Sequence, residues 1–537
     1  MAEMKTAAYI CSGCGIGERV STAQMAKIAQ KEGKMALVRE HACLCDASGV
    51  QTIKDDIEKE AVTHIVIAAC SRRAKTEAFN FPGVAMSRAN IREGVIWSQP
   101  EGDESAETTQ EMADDYVRMG CAEVKKMKVP EGNPNRASNK RILVVGGGVS
   151  GMTAALEMAE AGYDTVLVEK SAALGGWASQ LVKRVPSMQP YADPADTGIA
   201  ELAARVSAHP RIKLHLNSTI AQTNGAPGRF AVDIAQESGA TVTEEVGALI
   251  QATGFTPYDM MKLPELGAGK SPNVVDQLGL EKLVKAANGG PVKRPSDGGE
   301  VKSVVFIQCA GQRDEAMESG GKHLPYCSGH CCATSIKQAM YFKDANPDID
   351  TMVMYTDLRV PGTGEDFYRS GQQKGVTFTK GKTSSVEAAG NACKVNFKDL
   401  ILNEDVSVEA DLVVLATGMV ANSGMNIDIP EEEVARMEVK PISILNLNYR
   451  QGKDMPQLKN GFADSHFICF PYETRRTGIY AAGPVRRPMD MTQAIEDATG
   501  AAMKAIQAVE NASLGRAAHP RAGDLSYPIV RLEGCTQ

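Results

Sequence analysis

The stretch RILVVGGGVSGMTAALEMAEAGYDTVLVEK, residues 141–170, leaves little freedom in how this chain folds. Apolar residues run into Gly146, Gly148 and Gly151, an Ala-rich helical pattern continues to Gly162, and a second apolar run ends at Glu169, 18 residues beyond Gly151. A strand, a glycine turn and a helix in that order are the opening of a βαβ unit in a parallel sheet. The glycines allow a tight turn and close approach to a pyrophosphate. The helix N-terminus favours that charge, and Glu169 can accept hydrogen bonds from a ribose. The spacing predicts a dinucleotide site built from Gly146, Gly148, Gly151 and Glu169, with Lys170 beside it.

Gly175 and Gly176 follow as LGG, a spacing that resembles flavoproteins with two dinucleotide-binding domains, where a second glycine pair packs near the flavin dinucleotide. Such chains end strands with ATG, and this one has Ala252-Thr253-Gly254 and Ala416-Thr417-Gly418. It also has TGIYAAG, Thr477 to Gly483, before the helical run MTQAIEDATGAAMKAIQ. The resemblance implies FAD, with Thr253, Gly254, Thr417, Gly418 and Gly483 among its contacts. Relatives commonly place an Asp after the last Gly to hold the ribityl chain. Here Pro484 stands in that place, and Asp490 or a backbone group is the expected substitute.

The thirteen cysteines are unusual for an ordinary soluble composition of 43% hydrophobic and 23% charged residues. In a reducing compartment, cysteines in such number are metal ligands or catalysts more often than disulfides. Cys309, Cys327, Cys331 and Cys332 lie where related reductases insert a nicotinamide-binding βαβ unit. The strand VKSVVFIQ precedes them, and the helix TSIKQAMYFKD and strand TMVMYTDLR follow. Cysteines therefore occupy the turn where phosphate-binding glycines belong. Four thiolates there suit a [4Fe–4S] cluster and also zinc, although the vicinal Cys331-Cys332 pair is awkward for one tetrahedral ion. The second group reads CSGCG, CLC and AAC, five thiols for four places. Cys11, Cys14, Cys45 and Cys70 are the expected ligands of a second [4Fe–4S] cluster, with Cys43 spare and zinc again the rival. Cys121, Cys393, Cys469 and Cys535 stand apart.

The resulting organisation is α/β throughout. Residues 1–128 form an N-terminal iron–sulfur domain, with strands ending near Cys11 and Cys70, MALVRE as a strand between them, and an exposed acidic helix from about Glu101. Residues 129–140 form a Pro/Gly/Asn-rich linker. The first half of an FAD domain covers 141–300, an iron–sulfur insert replaces the NAD(P)H domain over 301–410, and the second FAD half covers 411–515. The whole is a thioredoxin-reductase-like flavoprotein with a tail at 516–537.

Cys309-x17-Cys327-x3-Cys331-Cys332 followed by SIKQAMYFKD resembles the signature of the A-type flavoprotein of heterodisulfide reductases, and CGIG, DASGVQTIKDDI and VIAACS resemble that family's N-terminal cluster domain. ICSGCGIG, ILNLNYRQG, GFADSHFICFPYETRRTGIYAAG and HPRAGDLSYP are similar to the B-type flavoprotein branch found in quinone-interacting membrane-bound oxidoreductase complexes. The resemblance implies a flavin-dependent iron–sulfur oxidoreductase component with FAD, two [4Fe–4S] clusters and no NAD(P)H site. It implies electron exchange between a membrane quinone pool and adenylylsulfate reductase. The expected partners are a second flavoprotein of the same family, a membrane protein carrying haem and iron–sulfur centres, and adenylylsulfate reductase. Lys337, five places after the CC pair, corresponds to a lysine near the flavin ring; without the resemblance it reads as an exposed helix lysine. Members of that branch continue into a ferredoxin-like domain opening on a CTQC pattern, whereas this sequence ends GCTQ, as a fragment or as a short variant working with a separate ferredoxin-type protein.

Two rival readings stand beside this one: a heterodisulfide reductase component that splits electron pairs from a hydrogenase or formate dehydrogenase, and a zinc scaffold with vestigial FAD. The net charge of −8 argues against a protein that binds nucleic acid by neutralising phosphate. No run of about 20 apolar residues offers a membrane span, and no basic-then-apolar leader opens the sequence. A cytoplasmic location is expected, with membrane association only through partners. Arg475, Arg476, Arg486 and Arg487 around the IYAAG turn read as a solvated surface, or as contacts to phosphates or a partner.

Overall fold

The structure, a computed structural model, describes residues 4–128, 138–316, 319–425, 431–436, 442–448, 455–465 and 471–518. It divides into two units, Met1–Asn135 with Leu514–Gln537, and Arg136–Ser513. Most of the linker expected at 129–140, most of the tail expected at 516–537, Cys469 and Cys535 lie outside the described residues.

The first unit is a parallel sheet in the order Leu37–His41, Thr6–Cys11, His64–Ala69, Ala85–Asn90. Ala7 to Ile10 and Ile65 to Ala68 are fully buried, as uninterrupted apolar runs must be when helices cover both faces of a sheet. The helices Thr22–Lys31 and Ala47–Lys59 start where Ser21 and Asp46 side chains accept backbone N–H groups. The acidic stretch becomes the helix Asp103–Lys126, one face of which, including Ala113, Val117, Cys121 and Val124, is buried. The fourth strand has no apolar run to announce it, because AMSRAN places Ser87 and Arg88 in buried positions.

The second unit contains a five-stranded parallel sheet in the order Ile479–Ala481, Ala248–Gln251, Ile142–Val145, Thr165–Val168, Ile212–His215. The helices Val149–Glu160 and Met491–Ser513 pack on each other. Alanines on both, among them Ala154, Ala155, Ala498 and Ala501, are fully buried and let the backbones approach closely. A separate sheet of Ser218–Ala226, Arg229–Gln236, Thr241–Val246 and Leu447–Asn448 caps this half.

A seven-stranded sheet carries the insert. Val274–Asp276, Leu412–Thr417, Ser303–Ala310, Asp350–Tyr355 and Thr377–Ala389 run parallel, and Ala392–Asp399 and Asp405–Ala410 add an antiparallel edge. The expected insert boundaries at 301 and 410 are therefore corrected. Leu412–Thr417 pairs with Ser303–Ala310 on one side and Val274–Asp276 on the other, so both belong to the insert. Leu412 to Ala416 are fully buried, which suits a central strand covered on both faces. Phe255–Pro257 pairs antiparallel with Met419–Ala421 and ties the two sheets together. No helix among the described residues is long and apolar enough to cross a membrane.

Candidate functional site

Gly146, Gly148 and Gly151 form a tight turn between the strand Ile142–Val145 and the helix Val149–Glu160. Gly146 has φ +109°, and a Cβ there would stand 2.4 Å from the Ala252 carbonyl oxygen. At Gly151 a Cβ would fall 1.7 Å from the Gly146 carbonyl oxygen, so helix and strand meet only because both residues lack side chains. Gly148 differs: a Cβ there meets nothing within 4 Å. It opens the helix Val149–Glu160 without any side-chain cap, which leaves first-turn N–H groups for an anion. The Ser150 hydroxyl is buried and has no hydrogen-bond partner among the described residues. An open cradle beside uncapped donors fits a pyrophosphate.

The other expected contacts fall into two places. Gly175 N–H donates to the Gly147 carbonyl at 2.8 Å, and a Cβ at Gly176 would lie 3.1 Å from Gly148 Cα, so the LGG loop lies on the cradle. Glu169 ends its strand with a buried carboxylate that accepts Gly147 N–H at 2.6 Å and Ser171 N–H at 2.8 Å; Lys170 beside it is exposed. Thr253 and Gly254 follow the neighbouring strand, and the Thr253 hydroxyl donates to the Asn422 carbonyl at 2.5 Å. Thr417 and Gly418 border the cysteine loop and also meet the chain after Gly254, where Tyr258 N–H donates to the Gly418 carbonyl at 2.8 Å. They end an interior strand of the insert, where the Thr417 carbonyl accepts the Cys331 thiol at 3.4 Å and a Cβ at Gly418 would strike Ser328 Oγ at 2.7 Å. The same tripeptide serves the cradle once and the cysteine loop once.

Asp497, which no motif signals, anchors the IYAAG turn. It is buried, accepts Gly483 N–H at 2.8 Å, and pairs with Arg486. Gly483 has φ +77°, and a Cβ there would meet Ser150 Oγ at 2.1 Å. Arg486 is thus no solvated surface residue, and Arg476 is buried as well; Arg475 pairs with Asp464. Asp490 accepts Gln493 N–H at 2.8 Å and caps the following helix instead of replacing the missing acid after Gly483. An acid fourteen residues downstream is legible only once helix and turn are seen packed together.

In the insert, Cys309 ends a strand with φ +58°, Cys327 lies in the loop, and Cys331 and Cys332 open the helix Cys331–Ala345. Burial raises the thiol pKa of Cys309, Cys331 and Cys332, the last to about 11, and repulsion from neighbouring thiols, Cys327 among them, adds to it. Thiols that resist ionisation in each other's company release their protons when a cationic centre binds them. Among the described residues no three His, Cys, Asp or Glu side chains converge as ligands around a single metal ion. The four thiols lie within electrostatic reach of one another and suit a polynuclear centre, whose ligands sit on its periphery. Trp177, next to Gly176, stacks obliquely on Phe255 at 6.3 Å, and Phe255 lies 6.3 Å from the ring of His330, next to Cys331. Aromatic rings therefore connect the cradle with the cysteine loop.

Lys337 is not an exposed helix lysine. Its side chain is 2% exposed, and Nζ lies 2.8 Å from Glu281 Oε1 and donates to the Lys183 carbonyl at 2.8 Å. Burial lowers its pKa and the Glu281 charge opposes that shift. Glu281, fully buried, also accepts Val182 N–H at 2.7 Å and Gln338 Nε2 at 2.8 Å. Lys337 thus joins the insert helix to the chain that leaves the LGG loop. Glu281→Ala is expected to destabilise the protein by about 3–5 kcal/mol, because it strands a buried ammonium. Thermal unfolding of the purified variant measures this, and an unchanged melting temperature contradicts it.

In the first unit, Cys11 and Cys70 lie at the ends of neighbouring parallel strands and Cys14 in the turn after the first. Cys43 and Cys45 follow the edge strand with their Sγ atoms 3.6 Å apart. Cys11 feels the charges of Cys43 and Cys14, and Cys45, raised to about 11 chiefly by burial, those of Cys43 and Cys70. All five thiols gather beyond the carboxyl ends of the strands, where open α/β sheets hold ligands. Cys43 and Cys45 both lie within electrostatic reach of other thiols of the group, Cys43 of Cys11 and Cys45 of Cys70. Cys121 and Cys393 are simply buried core residues.

A glycine cradle beginning a parallel sheet, with two further loops laid against it, is the frame of a flavin-dependent oxidoreductase. Residues 141–251 match the family described as FAD dependent oxidoreductase. Across almost its whole length the chain is also similar to the A-type components of heterodisulfide reductases. It is 28% identical to an A-type iron-sulfur component of the CoB–CoM heterodisulfide reductase of Methanopyrus kandleri, covering 94% of this chain and 86% of that one. The A-type component of the H2:CoB–CoM heterodisulfide,ferredoxin reductase of Methanothermobacter marburgensis is 28% identical, over 94% and 85% of the two chains. That of the ferredoxin/F420H2-dependent CoB–CoM heterodisulfide reductase of Methanosarcina acetivorans is 27% identical, over 94% and 70%. Among solved structures, the thioredoxin reductase of T. acidophilum is 14% identical with a TM-score of 0.43, covering 68% of this chain and 98% of that one.

Proposed function

We propose that this chain is the FAD-carrying electron-transfer component of a multi-protein oxidoreductase of the heterodisulfide reductase A type, with one [4Fe–4S] cluster on Cys309, Cys327, Cys331 and Cys332 and a second on four of the N-terminal cysteines. The observation that carries this reading is the ring contact from Trp177 through Phe255 to His330, which joins the glycine cradle to the cysteine loop. FAD supplies the exchange between two-electron and one-electron transfer, and the clusters supply one-electron conduction. The chain's own part is to hold the dinucleotide on Gly146, Gly148 and Gly151, to fix the thiols on strand ends, and to keep a buried ammonium, Lys337, where the insert meets the LGG segment. Lys337 is the flavin-proximal group in this reading.

Within that type, the strings ICSGCGIG, ILNLNYRQG and HPRAGDLSYP favour a complex linking membrane quinone to adenylylsulfate reductase. Purification under anaerobic conditions with natural partners, with iron, zinc, flavin and the identities of the bound proteins determined, tests both levels. A haem-containing membrane protein and adenylylsulfate reductase in the preparation support the quinone link; a hydrogenase or formate dehydrogenase supports the pair-splitting alternative. Stoichiometric zinc with near-zero iron overturns both.

NADH is expected not to bleach the bound flavin. The turn that would take a nicotinamide dinucleotide is filled by Cys331, whose Sγ accepts Gln312 Nε2 at 3.1 Å, so it offers no open glycine cradle. Rapid bleaching in an anaerobic cuvette would restore a nicotinamide site.

A further inference from the structure

Arg88 is the buried cation of the first unit that the proposed function does not use. It sits on the strand Ala85–Asn90, opposite Ile67, and is 8% exposed. Its Nη2 lies 3.2 Å from Cys70 Sγ and faces the carbonyls of Cys70 at 3.0 Å, Ser71 at 3.0 Å and Ala74 at 3.2 Å, four acceptors that share its two N–H groups. The guanidinium lies over the Phe79 ring, 4.4 Å from its centroid, and Nε is buried without a partner. Among the described residues no carboxylate comes within ion-pair distance of it. Arg92 is different: it reaches toward Cys14, but Glu93 neutralises it at 2.6 Å.

The Glu93 charge reaches Arg88, but that carboxylate is bound to Arg92; a buried cation that no carboxylate pairs with directly is costly, and such groups persist where a counter-charge completes them. Thiolates of a bound cluster supply that charge, and Cys70 is the one the guanidinium touches. We infer that Arg88 is a positioning residue that raises the reduction potential of the N-terminal cluster by holding a fixed positive charge and an N–H donor on Cys70 Sγ, an inference that rests on the cluster assignment above. The physical reason is that reduction adds one electron to an already anionic centre, and a nearby cation in a low-dielectric setting favours the more negative state.

Arg88 also staples the loop after Cys70 through three carbonyls, so a purely structural role must be told apart from tuning. The sign separates them. Loss of the staple alone admits water, which favours the more highly charged reduced state and moves the potential upward. Loss of the cation moves it downward.

The test uses the full chain, purified anaerobically, with an EPR-monitored redox titration. The signal that disappears in Cys70→Ala identifies the cluster to follow. Arg88→Met with undiminished iron is expected to shift that signal's midpoint to a more negative potential and leave the other cluster's midpoint in place. An unmoved or more positive midpoint overturns the inference. If the methionine variant fails to retain iron, Arg88→Gln, which keeps an amide donor for the loop carbonyls but no charge, is read instead and is expected to show the same negative shift. Loss of iron in both variants assigns Arg88 to folding and overturns the tuning role. If the unaltered protein shows no signal that Cys70→Ala removes, the cluster assignment itself has failed, a result distinct from an unshifted potential.

Discussion

Gly148→Val is expected to fold and to purify essentially without flavin. In the protein a Cβ at Gly148 meets nothing within 4 Å, so valine has room against its own chain. That room is the mouth of the cradle, in front of the uncapped N-terminus of Val149–Glu160. A branched side chain there keeps the pyrophosphate from the first-turn N–H groups. Losing two charge-assisted hydrogen bonds costs about 3–6 kcal/mol, roughly 10²- to 10⁴-fold in affinity. The flavin-to-protein absorbance ratio, alongside a thermal melt that establishes folding, measures the effect. Retention of stoichiometric flavin in a folded variant would place the dinucleotide elsewhere. Gly151→Val is the instructive contrast: its Cβ would stand 1.7 Å from the Gly146 carbonyl oxygen, so that variant fails in folding before any question of cofactor arises.

Cys331→Ala is expected to remove about half of the protein-bound iron, the share of one [4Fe–4S] centre out of two, and to leave the flavin bound. Cys331 stands at the first position of its helix, buried, coupled to Cys332, Cys309 and Cys327. The protein loses only the weak contacts of its thiol to Thr417 and Gln312, a cost of about 1 kcal/mol, so the fold and the separate glycine cradle survive. Iron and acid-labile sulfide analysis with the absorbance near ~400 nm, where such clusters absorb broadly, reads the outcome. Full cluster content in the variant refutes the ligand assignment.

Chemistry that depends on short, contiguous patterns is legible in the sequence. The glycine turn, the helix behind it and the LGG loop follow from spacing and appear as one cradle, because backbone conformation and close approach are decided by residues near one another in the chain. Strands ending at cysteines are equally legible, since an apolar run that stops at a polar turn marks a strand's end. Roles that depend on which strand pairs with which are not. Ala252-Thr253-Gly254 and Ala416-Thr417-Gly418 are identical as tripeptides, yet one borders the cradle and the other the cysteine loop, because Leu412–Thr417 pairs with Ser303–Ala310. Nothing local to residues 412–418 specifies that pairing.

Buried charge is the other hidden feature. Lys337, Glu281, Arg88, Arg486 and Asp497 read individually as surface residues, since charged side chains are seldom fully buried without partners. Their partners lie far off in sequence, as with Lys337 and Glu281, or are backbone carbonyls and a thiol, as with Arg88. The glycine turn, the two groups of cysteines and the strands that carry them can be read from the chain alone, because each follows from local backbone geometry and side-chain chemistry. Long-range packing brings Thr417 and Gly418 to the cysteine loop, sets Asp497 on the turn at Gly483, and lays on Cys70 a guanidinium that no carboxylate pairs with among the described residues. Those outcomes depend on long-range strand pairing and desolvation, which no short window of sequence contains.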